Sequence, residues 1–326
     1  MARVAVLDDW QGIAEKLADW SVLRARAEVV FFRNAIATPD DLVQRLAGFD
    51  IVLAMRERTQ FPAAVLQRLG ELRLLSFTGA RNAAIDTAAA TAKGILVCNT
   101  AGRSSHATAE LALGLLLACA RRIPLGDARI RTGFFQDGVP PGLELAGRTL
   151  GLVGLGHIGG RVARYGKALD MQVIAWSQNL TEARAQELGV TRVGKDELFA
   201  RADAISIHLV LSPRTRGVVG AREIAAMKRG AILVNTSRGP LVDQDALLAA
   251  LDGGRILAGL DVYDIEPLPP AHPLRIVPNA VLTPHLGYVT ETNMAAFYRA
   301  SIENVLAFLD GAPIRVVNPE LLAEDA

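Results

Sequence analysis

The sequence predicts an α/β fold made of two doubly wound, Rossmann-like units of parallel sheet. Short apolar, β-rich runs alternate with helix-like stretches along the whole chain, the order that gives parallel strands joined by helical crossovers. The runs are nearly continuous in apolar residues rather than alternating, as strands are when both sheet faces are covered. A glycine-rich turn at 154–159 lies between one such run and a helix, where a dinucleotide-binding βαβ unit begins.

Taken in order, the first series of strands is expected at 3–9, 28–33, 51–55, 72–79 and 94–100. Thr38-Pro39-Asp40-Asp41 starts a helix between the second and third: a hydroxyl cap, a proline in the first turn, and acids at the positive end of the dipole. A long helix follows at about 108–122, then a Gly- and Pro-containing stretch at 132–148 that reads as a loop or arm. The second series is expected at 149–154, 172–177, 204–210, 231–237, 258–263 and 280–285, and 291–309 reads as the last helix. The two series join near residue 100.

The chain has 326 residues, 51% of them apolar, enough for two ordinary domains with large cores. A formal charge of +1 and 5% aromatic content give no footprint for nucleic acid or a membrane surface. Cys98 and Cys119 sit in apolar stretches without a CxxC motif and are expected to be buried, inert thiols. No signal peptide is expected, the longest apolar run (111–120) is too short to span a bilayer, and no metal site is read. The expectation is a cytoplasmic protein.

Each glycine of Gly154-Leu155-Gly156-His157-Ile158-Gly159 has a physical role. Gly154 permits the tight turn, Gly156 lets the backbone approach a pyrophosphate, and Gly159 lets the helix, read from Arg161 onward, pack close to the strand beside Ala163. The helix N-terminus offers free N–H groups to the phosphates. The second strand of the unit ends at Ser177, where a site selective for NAD usually places an acid for the ribose 2′-hydroxyl. Neutral groups there accept either cofactor, so NAD is expected and NADP stays open.

Downstream, Arg238, Glu266 and His285 follow predicted strands, at the sheet edge where ligands bind. Together they suit carbonyl reduction. Arg grips a carboxylate and polarises the adjacent C=O, His donates a proton to the forming alkoxide, and a carboxylate beside the His orients it and favours the protonated donor. Sequence alone does not say whether Glu266 touches His285.

The motifs TLGLVGLGHIG (149–159), LVNTSRGPLVDQDALLAAL (233–251), LDVYDIEP (260–267) and TPHLG (283–287), in this order, resemble the D-isomer-specific 2-hydroxyacid dehydrogenase family, and the resemblance covers nearly the whole chain. It implies a dinucleotide-binding domain at 101–286 inserted into a substrate domain made of 1–100 and 287–326. It implies an oxidoreductase moving hydride between NAD(P)H and C2 of a small anionic 2-oxo or D-2-hydroxy acid, with 3-phosphoglycerate, hydroxypyruvate and glyoxylate as candidates. Arg238 would bind the substrate, His285 would be the acid–base and Glu266 its partner. The cofactor would meet Gly154, Gly156, His157, Ile158, Gly159, Ser177, His208, Val210, Thr236, Ser237, Arg238, Asp261 (near the nicotinamide carboxamide), His285 and Gly287.

In the first half, the resemblance makes Thr78-Gly79-Ala80 a carboxylate-binding turn whose backbone N–H groups cradle an anion. Arg81 and Asn82 follow where the family more usually has small or apolar residues. Arg56 and Arg58, in MRERT, resemble a substrate-facing loop. With Arg81 they either meet a second anionic group or pair with Glu57 and solvent. The helix from Thr108 and the loop after it resemble a dimerisation arm, so a homodimer is expected, and no C-terminal regulatory module is. Two other readings stand beside this one: a cofactor-sensing corepressor-like binding protein, since fold does not prove catalysis, and a phosphite-type dehydrogenase. Formate oxidation is disfavoured, because formate dehydrogenases carry Gln where this chain has Glu266.

Overall fold

The structure, a computed structural model, describes residues 1–100 and 105–322. The chain divides into two compact units, Met1–Arg103 with Thr290–Ala326, and Ser104–Val289. The joint read near residue 100 borders 101–104, which lie outside the described residues.

The first unit is a five-stranded parallel sheet of β1 (Ala2–Val6), β2 (Ala27–Phe31), β3 (Ile51–Ala54), β4 (Leu74–Phe77) and β5 (Leu96–Asn99), in the order β2-β1-β3-β4-β5. The switch point of this order lies between β1 and β3. One face packs on Leu42, Phe49, Phe61, Leu66 and Ile95. The helix Glu291–Leu309 packs against β4, and its Tyr298 ring lies 5.9 Å from Trp20. A fully buried side chain of this kind contributes up to roughly 1.5–3 kcal/mol. The returning chain is pinned to the edge strand by Asn318, whose Oδ1 accepts from the Val97 N–H at 2.8 Å and whose Nδ2 donates to the Ile95 carbonyl at 3.0 Å.

The second unit is a seven-stranded parallel sheet of β6 (Thr149–Val153), β7 (Gln172–Trp176), β8 (Thr191–Arg192), β9 (Ala204–Ile207), β10 (Ile232–Asn235), β11 (Leu257–Leu260) and β12 (Ala280–Leu282). Its order, read from one edge, is β8-β7-β6-β9-β10-β11-β12, the dinucleotide-binding order with its switch point between β6 and β9. The helix Ser105–Ala120 covers one face through Ala109, Ala112, Leu115 and Cys119. Gly259 on β11 makes this possible, since a Cβ there would stand 2.9 Å from Leu115 Cβ. Leu198, Phe199, Ile224 and Leu251 cover the other face.

Several boundaries differ from the expectation. Strands read to 210 and 237 stop at Ile207 and Asn235, because the following backbone turns away to build the site. The helix after the glycine turn starts at His157 rather than Arg161. The two-residue strand β8 has too little apolar sequence to register as a run. The long helix breaks at Arg122, in the left-handed region at φ 53°, and a further helix, Ile123–Arg131, starts with Pro124 in its first turn. The Thr38 cap forms as read, its Oγ1 accepting from the Asp41 N–H at 3.1 Å. Both cysteines are buried, and burial pushes their thiols up to about 11 for Cys98 and about 12 for Cys119. Among the described residues no helix is long and apolar enough to cross a membrane.

Candidate active site

The register of the second sheet gathers the site. Trp176, Val153, Ile207, Asn235, Leu260 and Leu282 pair across β7, β6, β9, β10, β11 and β12. The next residue of each strand is therefore Ser177, Gly154, His208, Thr236, Asp261 and Thr283, one row along the C-terminal edge. Backbone bonds carry the ladder into the row: His208 N–H donates to Val153 O at 2.8 Å, Asp261 N–H to Asn235 O at 3.0 Å, and Thr283 N–H to Leu260 O at 2.9 Å. Of these six, only Thr283 was not named as a site residue from sequence.

At the switch point the glycines fit a dinucleotide. Gly154 has φ +105°, and a Cβ on it would lie 2.5 Å from the His208 carbonyl oxygen, so no other residue fits. A Cβ on Gly159 would overlap the Gly154 carbonyl, whereas one on Gly156 would meet nothing within 4 Å. Gly156 thus opens space before the 12-residue helix His157–Ala168, whose first N–H groups face it. His157 is exposed, Ile158 and Ser177 are half-buried, and Val210 is 79% exposed. Buried His208 Nδ1 and Thr236 Oγ1 have no hydrogen-bond partner, polar atoms that a bound cofactor is suited to satisfy.

Arg238 follows β10 on a loop that Asn235 holds. Asn235 Nδ2 donates to the Arg238 carbonyl at 2.9 Å, and its Oδ1 accepts from the Ser237 N–H at 3.0 Å. Ser237 Oγ donates to the Ile207 carbonyl at 2.7 Å, tying the loop to β9. The next residue, Gly239, lies against the backbone of Tyr263 and Asp264, and a Cβ there would overlap the Tyr263 carbonyl. That approach sets the Arg238 loop on the segment carrying Glu266.

Glu266 and His285 meet. His285 Nδ1 stands 2.6 Å from Glu266 Oε2, and Glu266 Oε1 accepts from the Tyr263 N–H at 2.9 Å. Tyr263 Oη donates to the Thr283 carbonyl at 3.0 Å, joining the two loops. Burial, then the Asp261 and Glu266 carboxylates, raise the Tyr263 hydroxyl well above its ordinary value and keep it a donor. The His285 ring stands edge-on to Tyr288, with centroids 5.5 Å apart.

His285 itself has φ 55°, an uncommon conformation for a residue with a side chain. Asp261 imposes it. Its Oδ1 accepts from Thr283 Oγ1 at 2.7 Å and from the Leu286 N–H at 2.6 Å, and its Oδ2 accepts from the Gly287 N–H at 2.8 Å. Asp261, read from sequence as a nicotinamide contact, is fully buried with both oxygens engaged in this turn. Burial raises its carboxyl above the ordinary range, opposed by these donors and by the charge of His285. Gly287 is buried on the same carboxylate. Sequence reasoning missed Asn235, Gly239 and Tyr263, although a buried Asn at a strand end was a visible signal.

The first unit carries its own cluster after β1, β3 and β4. The expected anion cradle at 78–80 has fewer open backbone donors than its three N–H groups suggest. The Thr78 N–H donates to the Ala54 carbonyl at 3.0 Å and the Gly79 N–H to Thr100 Oγ1 at 2.8 Å, so the fold itself engages two of the three donors. Arg56, at φ 53°, lays its guanidinium over Gly79, where a Cβ would collide with it, and reaches Glu57 at 3.5 Å. Arg58 lies 4.3 Å above the Trp10 ring and donates to the Asp8 carbonyl at 2.7 Å. Arg81 is exposed.

Asp8 is 1% exposed and accepts from Thr59 Oγ1 at 2.9 Å. Burial drives its carboxyl up to about 6, against the Thr59 hydroxyl and the Arg58 charge, which pull it down. The folded chain therefore keeps a proton that the unfolded chain releases near pH ~3.9, so this group lowers stability as pH rises from about 4 to about 6, on the order of 2–3 kcal/mol. Asp8→Asn is expected to raise Tm more at about pH 7.5 than at about pH 4.5. Calorimetry at both values checks it, and an equal change at both would refute the assignment.

Residues 113–287 match the family model described as "D-isomer specific 2-hydroxyacid dehydrogenase, NAD binding domain". A D-3-phosphoglycerate dehydrogenase of Archaeoglobus fulgidus is 35% identical over 277 residues, 85% of this chain and 52% of that protein. The chain thus spans about half the length of that relative. A glyoxylate reductase of Korarchaeum cryptofilum is 36% identical over 287 residues, 86% of each chain. A crystal structure of phosphoglycerate oxidoreductase from Vibrio cholerae superposes with a TM-score of 0.91 at 35% identity, covering 96% of this chain and 100% of that one.

Proposed function

The chain belongs to the D-isomer specific 2-hydroxyacid dehydrogenase family, and from that premise we propose that it moves hydride between NAD(H) and C2 of a small 2-oxo acid or its D-2-hydroxy acid. The observation that carries this is the 2.6 Å contact of His285 Nδ1 with Glu266 Oε2. With Nδ1–H donated to the carboxylate, the Nε2 atom is left to exchange a proton with the substrate oxygen. In reduction Nε2–H donates to the oxygen as C2 gains hydride; in oxidation Nε2 takes the hydroxyl proton. Glu266 stabilises the imidazolium and fixes the ring. Arg238 holds the substrate carboxylate and polarises its carbonyl.

In this proposal the unit 104–289 holds the cofactor, which supplies or accepts the hydride when bound. His157, Ile158 and the N–H groups after Gly156 would take the pyrophosphate, Ser177 the ribose, and His208, Val210, Thr236, Ser237 and Gly287 the remaining contacts. Neutral Ser177 neither repels nor pairs with a 2′-phosphate. The unit with both termini is the substrate domain, and Arg56, Arg58 and the Ala80 N–H are its candidate anion contacts. The corepressor and phosphite readings gain no support from the relatives named above. NADH and NADPH oxidation with glyoxylate, hydroxypyruvate, 3-phosphohydroxypyruvate, pyruvate and branched 2-oxo acids tests the proposal; inactivity across the panel would overturn it.

The proposal extends to a cytoplasmic homodimer. Free, buried cysteines fit a reducing compartment. Ile123, Ile130, Phe134 and Phe135, on the helix Ile123–Arg131 and just beyond it, are half exposed or more, an apolar patch of the kind that marks an interface. Phe135→Asp is expected to shift the protein toward monomer in light scattering; an unchanged dimer mass would remove this patch from the interface.

A further inference from the structure

His208 Nδ1 and Thr236 Oγ1, both buried without a hydrogen-bond partner, are neighbours in the row, since each follows one of the paired residues Ile207 and Asn235. A polar atom buried without a partner is costly to the fold. Two together, on the strands beside the switch point, mark where a polar ligand completes the network.

Ser206 decides what Nδ1 is. The Ser206 hydroxyl lies 2.9 Å from His208 Nε2, and it makes no other hydrogen bond among the described residues. Ser206 is 2% exposed, so its proton has no acceptor but Nε2. Were Nε2 protonated, it would donate to Oγ and strand the hydroxyl hydrogen, with the Nδ1 lone pair also unmet. With Ser206 donating to Nε2, the ring proton sits on Nδ1 and only one ring atom lacks a partner. Burial also pushes His208 down to about 3, so the ring is neutral at ordinary pH.

We propose that Ser206 is a positioning residue that fixes His208 as the Nδ1–H tautomer, presenting one uncharged donor to an oxygen of the bound dinucleotide, with Thr236 Oγ1 as a second contact beside it. The inference rests on the NAD(H) reading above. An uncharged donor gives direction without net attraction, so the His208 contribution to cofactor affinity is flat across neutral pH.

Ring ¹⁵N spectra of histidine-labelled, cofactor-free protein test the tautomer directly. The chain has five histidines, and loss of the signal in His208→Asn assigns it. A protonated Nδ1 and a bare Nε2 are expected; a protonated Nε2 overturns the inference whether or not cofactor binds. Adding NAD⁺ should then move the Nδ1 signal. If calorimetry shows NAD⁺ binding while that signal stays still, the cofactor contact falls and water alone satisfies Nδ1. If wild type binds no NAD(H), the cofactor reading falls with the contact, and the tautomer result stands apart from it.

Ser206→Ala is expected to raise Kd for NAD⁺ by about 5–20-fold. His208→Asn, whose side-chain amide falls near Nδ1, should stay within about threefold, and Ser206→Ala in that background should add nothing. An equal loss in both backgrounds would make Ser206 merely structural and overturn its role. Should Ser206→Ala fail to fold, the wild-type spectrum still decides.

Discussion

His285→Ala is expected to lower kcat by about 10²–10⁴-fold while the Kd for NADH changes little. The imidazole is the group placed to exchange the substrate proton, and it touches Glu266 rather than the glycine turn. Glu266→Gln is the informative companion. Its amide oxygen still accepts the Nδ1–H and keeps the ring oriented, but the bond from the Tyr263 N–H is lost to the amide NH2 and the charge that stabilises imidazolium is gone. The loss should fall chiefly on kcat and be smaller than for His285→Ala. Steady-state rates with the best substrate of the panel, set beside cofactor titration by fluorescence quenching, separate the two. Turnover surviving in His285→Ala would falsify the acid–base assignment.

Gly239→Ala is expected to be nearly as damaging without removing any reacting group. The added methyl would occupy the position of the Tyr263 carbonyl, and backbone does not yield as a flexible side chain does. The Arg238 loop must then move away from the segment that holds Glu266. Overpacking of this kind costs roughly 1–3 kcal/mol in stability, and displacing the carboxylate clamp by about 1 Å can cost on the order of 100-fold in rate. KM for the 2-oxo acid should rise and kcat fall together, with a lower Tm. Full activity in Gly239→Ala would mean the two loops are not rigidly coupled.

The legible parts of the sequence were those whose cause is local. Continuous apolar runs gave the strands, the Thr38 hydroxyl gave a helix start, and the spacing of Gly154, Gly156 and Gly159 gave the turn. What depended on register was not legible. Glu266 and His285 meet because Leu260 pairs with Leu282 and Asp261 then forces the turn around His285. Nothing in either local stretch states that pairing. Which donors of the cradle at 78–80 stay open was hidden for the same reason. The engagement of the Thr78 and Gly79 amides follows from how β3, β4 and the residue after β5 align. The contact of the Ser206 hydroxyl with the His208 ring likewise appears only once the strand is folded.

The row Ser177, Gly154, His208, Thr236, Asp261 and Thr283 makes strand length, and not only residue identity, a constraint on this molecule. Side-chain direction reverses with each step along a strand. Deleting one residue within β9 would turn His208 to the opposite face and bring Leu209 into its place, with the composition of the site almost unchanged. Insertions past the row, as in the segment 213–217, leave the alignment of all six strands intact. Changes in chain length are therefore expected to sort sharply by position: those on the strand side abolish the site, and those on the loop side reshape the substrate's surroundings.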